Sequence, residues 1–119
     1  MIIGKNIERS NVVGDLEGKE YMPVTRDGLV TTATGQNFYG IVLQGNASPV
    51  PSEVAVHGEI IAYAAEAISK DDPITGGANG VAKARLTVST SGAVTAYDVV
   101  RGFAMEDIAA GSKGKIYLY

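Results

Sequence analysis

Apolar and polar positions alternate with period two in several stretches of this chain. The clearest case is its end, where Lys115-Ile116-Tyr117-Leu118-Tyr119 would set Ile116 and Leu118 on one strand face and Lys115, Tyr117 and Tyr119 on the other. Glu53-Val54-Ala55-Val56-His57 alternates likewise, with Val54 and Val56 inward. Ala82, Ala84, Leu86 and Val88 alternate with Lys83, Arg85 and Thr87. Ser89-Thr90-Ser91-Gly92 then turns the chain into a returning arm over Ala93–Tyr97, a predicted hairpin. Residue type predicts further strands over Glu20–Thr25, Leu29–Thr34 and Phe38–Leu43, with Pro23 at an edge or a strand start. Asp27-Gly28, Lys70-Asp71-Asp72 and Asn79-Gly80 are turn signals. Asn46–Ser52 reads as a loop, because Pro49 and Pro51 can neither continue a helix nor pair in a central strand. Residues 59–68 carry helix-favouring Ala and Glu but no N-cap, so a strand over Glu59–Tyr63 followed by a bend or single helical turn is expected.

Residues 1–18 sustain neither period. Their apolar points Ile2, Ile3 and Ile7 stand apart, which predicts a flexible N-terminal arm ahead of a single β domain over 19–119. Within that domain an order of pieces recurs. Met22-Pro23-Val24-Thr25 and a turn match Asp72-Pro73-Ile74-Thr75 and a turn; Tyr39-Gly40-Ile41-Val42-Leu43 then matches Arg101-Gly102-Phe103-Ala104-Met105. Each copy ends on an alternating strand, so 20–58 and 70–119 read as an internal repeat. Two such units predict a mainly β fold, a small β-sandwich or a semi-open, β-tulip-like barrel.

Composition narrows the function classes. The chain has 119 residues, net charge −3, 15 Gly and no Cys. Without a basic block it carries no nucleic-acid footprint. Without cysteine it has no disulfide framework, thiolate metal site or thiol nucleophile. No apolar run approaches the ~18 residues of a membrane span, and the N-terminus lacks a signal peptide's apolar core. A soluble product, intracellular or released by lysis, is expected.

Candidate chemistry is sparse. His57 is the sole histidine, too few for a multi-histidine metal site, and its strand position points it outward. Asp71-Asp72 and Glu106-Asp107 are adjacent carboxylates, which on a strand face opposite ways and in a turn are solvated. Gly76, Gly77 and Gly80 lack the Lys-Ser/Thr of a phosphate loop, since Val81-Ala82 follow. No catalytic residue, metal or cofactor is assigned, and an enzyme is not expected.

Val56-His57-Gly58-Glu59-Ile60, Ile68-Ser69-Lys70-Asp71-Asp72-Pro73-Ile74, Asn79-Gly80-Val81 and Gly102–Gly111 leading into Lys115–Tyr119 resemble the capsid decoration (cement) proteins of tailed bacteriophages. The similarity covers about residues 20–119. It implies a non-enzymatic virion protein that binds the major capsid protein on the outer surface of a mature head and stabilises it, commonly as a homotrimer. Apolar residues on both faces of Ile41-Val42-Leu43, and at Val99-Val100, also suggest burial against other subunits. The expected capsid-engaging residues are Ile2, Ile3, Lys5, Ile7 and Arg9 of the arm, adding a strand to a partner's sheet edge without contributing to the fold. The alternative is a carbohydrate- or host-surface-binding module, as in a fibre or adhesin, with Tyr97, Tyr117 and Tyr119 as its aromatic platform.

Overall fold

The computed structural model describes residues 7–88, 90–92 and 94–119; for residues 86–88, 95 and 96 it describes the backbone. Ten strands form and no helix occurs among the described residues: β1 (Glu8–Val12), β2 (Pro23–Val24), β3 (Gly40–Gln44), β4 (Ser52–Tyr63), β5 (Pro73–Gly77), β6 (Gly80–Lys83), β7 (Leu86–Val88), β8 (Val94–Tyr97), β9 (Gly102–Ala104) and β10 (Lys113–Leu118). The mainly β class read from the alternation therefore holds. The architecture is a nearly closed barrel.

β4 organises it. The predicted strands Glu53–His57 and Glu59–Tyr63 are one twelve-residue strand, hinged where Gly58 takes a φ of +107° that side chains disfavour. Its first half pairs with β1 and β3, and its second half pairs with β10 from Gly58↔Leu118 to Tyr63↔Lys113. From β10 the sheet runs through β9 and β5 to β6. A parallel bridge, Ala64↔Val81, with the Ala65 amide donating to the Val81 carbonyl at 2.8 Å, returns β6 to the end of β4. Few backbone groups are thereby left at an open edge.

Alternation decides what faces the interior. Gly114, Ile116 and Leu118 of β10 are buried while Lys113 and Lys115 are exposed, as the pattern predicts. Ile116 and Leu118 join Ile41, Ile60, Ile74, Val81 and Ala104 in the larger core. A smaller core lies on the other face of β3, where Val42 packs with Val12, Leu16, Val24 and Val54.

That second core corrects two expectations. Residues 8–18 are part of the fold: Glu8–Val12 are a strand on β4, and Leu16 is 1% exposed. Isolated apolar residues do not reveal such a segment, because the surface it covers lies some thirty residues away in sequence. The double-faced apolar run Ile41-Val42-Leu43 is likewise covered from within the chain, by Val12 and Leu16, and needs no second subunit. Residues 1–6 of the arm lie outside the described residues.

Other departures are local. Of Leu29–Thr34 only Val30 pairs, in a bridge to Val24. Irregular backbone bonds hold the segment, the Thr31 amide donating to the Pro23 carbonyl at 3.1 Å and the Asn79 amide to the Thr31 carbonyl at 2.9 Å. Side chains add to them: the buried Thr31 hydroxyl donates to the Gly77 carbonyl at 2.6 Å, and the Thr32 amide donates to Gln36 Oε1 at 2.9 Å. The hairpin forms as β7 and β8, with Leu86 opposite Tyr97, while Ser89 and Ala93 of its loop lie outside the described residues. β6 and β7 are separate because the chain breaks at Ala84-Arg85, where Asp98 Oδ2 accepts from the Arg85 amide at 2.9 Å.

The segments matched in sequence make matching backbone bonds. Pro23 and Val24 lie opposite Ile41 and Gly40, and Pro73 and Ile74 lie opposite Phe103 and Gly102. A Cβ on Gly40 would meet the Ala55 carbonyl oxygen at 2.6 Å, and one on Gly102 would collide with the Tyr117 carbonyl oxygen. Close strand approach thus explains the shared glycine. The turn before each proline also recurs. Tyr21 (φ +71°) donates to the Val42 carbonyl and Asp71 (φ +70°) to the Ala104 carbonyl, both at 2.8 Å. A third copy, not apparent in the sequence match, precedes β10: Gly111 (φ +76°) donates to the Ala64 carbonyl at 2.9 Å. One turn design therefore starts β2, β5 and β10.

Candidate functional site

A concavity of about 720 Å³ lies between the two matched units. The segments leading into β3 and β9 form its sides: Asn37, Phe38 and Tyr39 from one, Val99, Val100 and Arg101 from the other. These are equivalent positions, since the Tyr39 amide donates to the Val24 carbonyl at 2.7 Å and the Arg101 amide to the Ile74 carbonyl at 2.8 Å. Arg26 from the turn after β2, His57 from β4, Glu8 from β1 and Tyr119 also line it.

Each arginine is laid against a ring. The Arg26 guanidinium carbon is 4.7 Å from the Tyr39 ring centroid, and that of Arg101 is 5.5 Å from the Phe38 centroid. Such contacts are worth about 0.5–1 kcal/mol at exposed sites and hold the cation in place. Tyr39 is itself fixed, its hydroxyl donating to Ser10 Oγ at 2.7 Å. Arg101 is fixed further by donating Nε to the Phe38 carbonyl at 2.9 Å and Nη2 to the Tyr39 carbonyl at 3.2 Å. Its Nη1 makes no protein hydrogen bond among the described residues. Val99 and Val100 are 42% and 43% exposed, high for adjacent β-branched residues.

Beside the groove lies an aromatic row. Phe103 stacks on Tyr117 at 5.5 Å between centroids and meets Tyr119 at 6.1 Å, while His57 sits edge-on to Tyr117 at 5.8 Å. Alternation had put Tyr117 and Tyr119 on one outward face, but Phe103 joins them only through the β9–β10 register, Phe103↔Tyr117. Tyr97, the third predicted platform residue, belongs to the β7–β8 hairpin and is not among these ring contacts.

The remaining candidates have structural duties. Ile7 is partly buried against the larger core, and Arg9 pairs with Glu53 at 3.7 Å; Ile2, Ile3 and Lys5 lie outside the described residues. The adjacent carboxylates serve turns: Asp72 Oδ2 accepts from the Ser69 amide at 2.9 Å, Asp107 Oδ1 from Lys70 at 2.8 Å and Glu106 Oε2 from Lys115 at 2.8 Å. Elsewhere, Glu66 is held below its usual carboxylate range, chiefly by its hydrogen bonds from Arg85. The groove thus presents two arginines held on rings beside the apolar surface of Val99 and Val100. Sequence reasoning missed Arg26, Arg101 and Phe38. The one available signal was the matched position of Tyr39 and Arg101 in the two copies.

No family model matches this chain, and no curated protein is similar to it in sequence. Among solved structures, the chain is similar to the N base of head fiber gp8.5 of bacteriophage phi29, with a TM-score of 0.62 over 95% of this chain and 94% of that one. The two are 13% identical, so the likeness is one of fold.

Proposed function

We propose that this chain is a non-enzymatic structural protein of a bacteriophage head, docking on the major capsid protein at the outer surface of the mature shell and reinforcing it. The observation that carries the reading is the fold shared, nearly end to end, with the N base of a phage head fiber. The decoration-protein resemblance over residues 20–119 leads to the same class by a separate route. A surface made of fixed cations and rings, with carboxylates engaged in turns, suits docking better than turnover. Ile2, Ile3, Lys5, Ile7 and Arg9 are the proposed capsid-engaging residues, with Ile7 partly buried against the larger core and Arg9 paired with Glu53 at the surface. A homotrimer, as the decoration-protein resemblance implies, is part of the proposal. Co-sedimentation with expanded capsids of the encoding phage tests the reading. Saturable binding is expected, and a chain left in the supernatant at tens of micromolar refutes it. Light scattering should give about 37 kDa for three chains of 12.4 kDa.

The aromatic row favours one second reading, a fibre-type module that holds sugar rings on Phe103, Tyr117 and Tyr119. Glycan-array binding that is lost in Tyr119→Ala, with no capsid co-sedimentation, would select it.

A further inference from the structure

We propose that the groove between the two units binds an extended, carboxylate-bearing peptide segment of a partner protein, its acidic side chains on Arg26 and Arg101 and its apolar ones on Val99 and Val100. The first argument is charge. Of the four arginines, Arg9 pairs with Glu53 and Arg85 with Glu66, both on the outside of the fold. Arg26 and Arg101, the two in the groove, have no carboxylate partner among the described residues. Acidic groups outnumber basic ones, 13 to 10, yet two guanidiniums converge here on the rings of consecutive residues, Phe38 and Tyr39. Guanidinium forks match carboxylates, and cations already held, Arg26 on a ring and Arg101 on a ring and two carbonyls, lose less freedom on binding one.

The second argument is backbone. Val99 and Val100 belong to no strand, and their amides and carbonyls make no hydrogen bond among the described residues, whereas Asp98 and Arg101 on either side are bonded. An exposed dipeptide outside any strand, with two β-branched side chains and no backbone partner among the described residues, can take a short added strand. Exposed valines have little to offer a sugar, so a peptide fits better than an acidic glycan. Glu8, the one carboxylate side chain lining the groove, disfavours a uniformly acidic occupant and favours one with acids interspersed among apolar residues. That the partner is the shell protein rests on the head-docking reading; the chemistry of the occupant does not.

The test uses the whole chain and fluorescent octapeptides alternating valine with Asp, Glu, Gln or Lys, read by anisotropy. The Asp and Glu peptides should bind about ten-fold tighter than the Gln peptide, the scale of a charge-assisted hydrogen bond. Arg26→Gln, which leaves Arg101 in place, should reduce that preference severalfold. Val99→Ser with Val100→Ser should weaken binding of the Asp, Glu and Gln peptides alike, with melting temperatures unchanged. Equal binding of the Asp, Glu and Gln peptides, or an Arg26→Gln protein with intact preference, overturns the proposal. So does binding of a sialylated trisaccharide in preference to every peptide. Acidic-peptide binding without capsid co-sedimentation would sink the docking reading and leave the groove standing. Co-sedimentation without an acidic preference would do the reverse.

Discussion

Thr31, Ser52 and Thr75 are the buried polar residues of the described fold, and their hydroxyls are treated differently. Ser52 Oγ accepts from the Asn46 amide at 2.8 Å and Thr31 Oγ1 donates to the Gly77 carbonyl at 2.6 Å, while Thr75 Oγ1 has no partner among the described residues. A made hydrogen bond contributes about 1 kcal/mol net, whereas burying an unsatisfied polar group costs about 1–3 kcal/mol. Threonine to valine keeps the branched shape and removes only the hydroxyl. Thr31→Val should therefore lose the bond and strand an acceptor, destabilising by about 1–3 kcal/mol. Thr75→Val should remove a desolvation cost and stabilise by about 1 kcal/mol. At ~2.1 cal/mol/K per residue, 119 residues unfold with an entropy of roughly 250 cal/mol/K, so 1 kcal/mol shifts the melting temperature by about 4 °C. Scanning calorimetry should show Thr75→Val melting about 4 °C above the parent and Thr31→Val about 4–12 °C below it. If Thr75→Val melts as low as Thr31→Val, the Thr75 hydroxyl has a partner in solution and the reasoning fails.

Three further outcomes are expected. Leu16→Ala should destabilise by about 2–5 kcal/mol in urea titration, since Leu16 is 1% exposed in the second core; a near-neutral result would restore a dispensable N-terminal segment. Gly102→Ala, whose methyl would collide with the Tyr117 carbonyl, should cost at least about 2 kcal/mol, while Gly92→Ala, at φ +88° with open space around it, should cost only about 1 kcal/mol of backbone strain. Similar melting points for the two variants would contradict the strand-approach argument. Glu66 has its folded-state pKa lowered, so its contribution is present above the ordinary glutamate value and lost as pH falls through the lowered one. The small melting-point gap between parent and Glu66→Gln at pH 7 should close in acid, and a gap that widens there would reverse the sign.

Local rules carried the sequence far at particular places. Ile116 and Leu118 had to share a face because a strand has period two, and both are fully buried. Pro23 and Pro73 open strands because a residue without an amide hydrogen is tolerated there. The glycine common to Gly40 and Gly102 was legible as a pattern, although its cause, a carbonyl of the next strand where Cβ would stand, is a contact between distant segments. What the sequence could not decide was which segments cover one another. Val12 and Leu16 look like scattered apolar points until Val42 and Val54 lie beneath them, and Ile41-Val42-Leu43 looks sticky until they do. The groove is of the same kind: Arg26, Phe38, Val99 and Arg101 share no local motif. They meet because the sheet order β3-β4-β10-β9 curls the segments before β3 and β9 toward one groove, and loop closure over such separations depends on the whole hydrogen-bonded sheet, which no window of sequence contains.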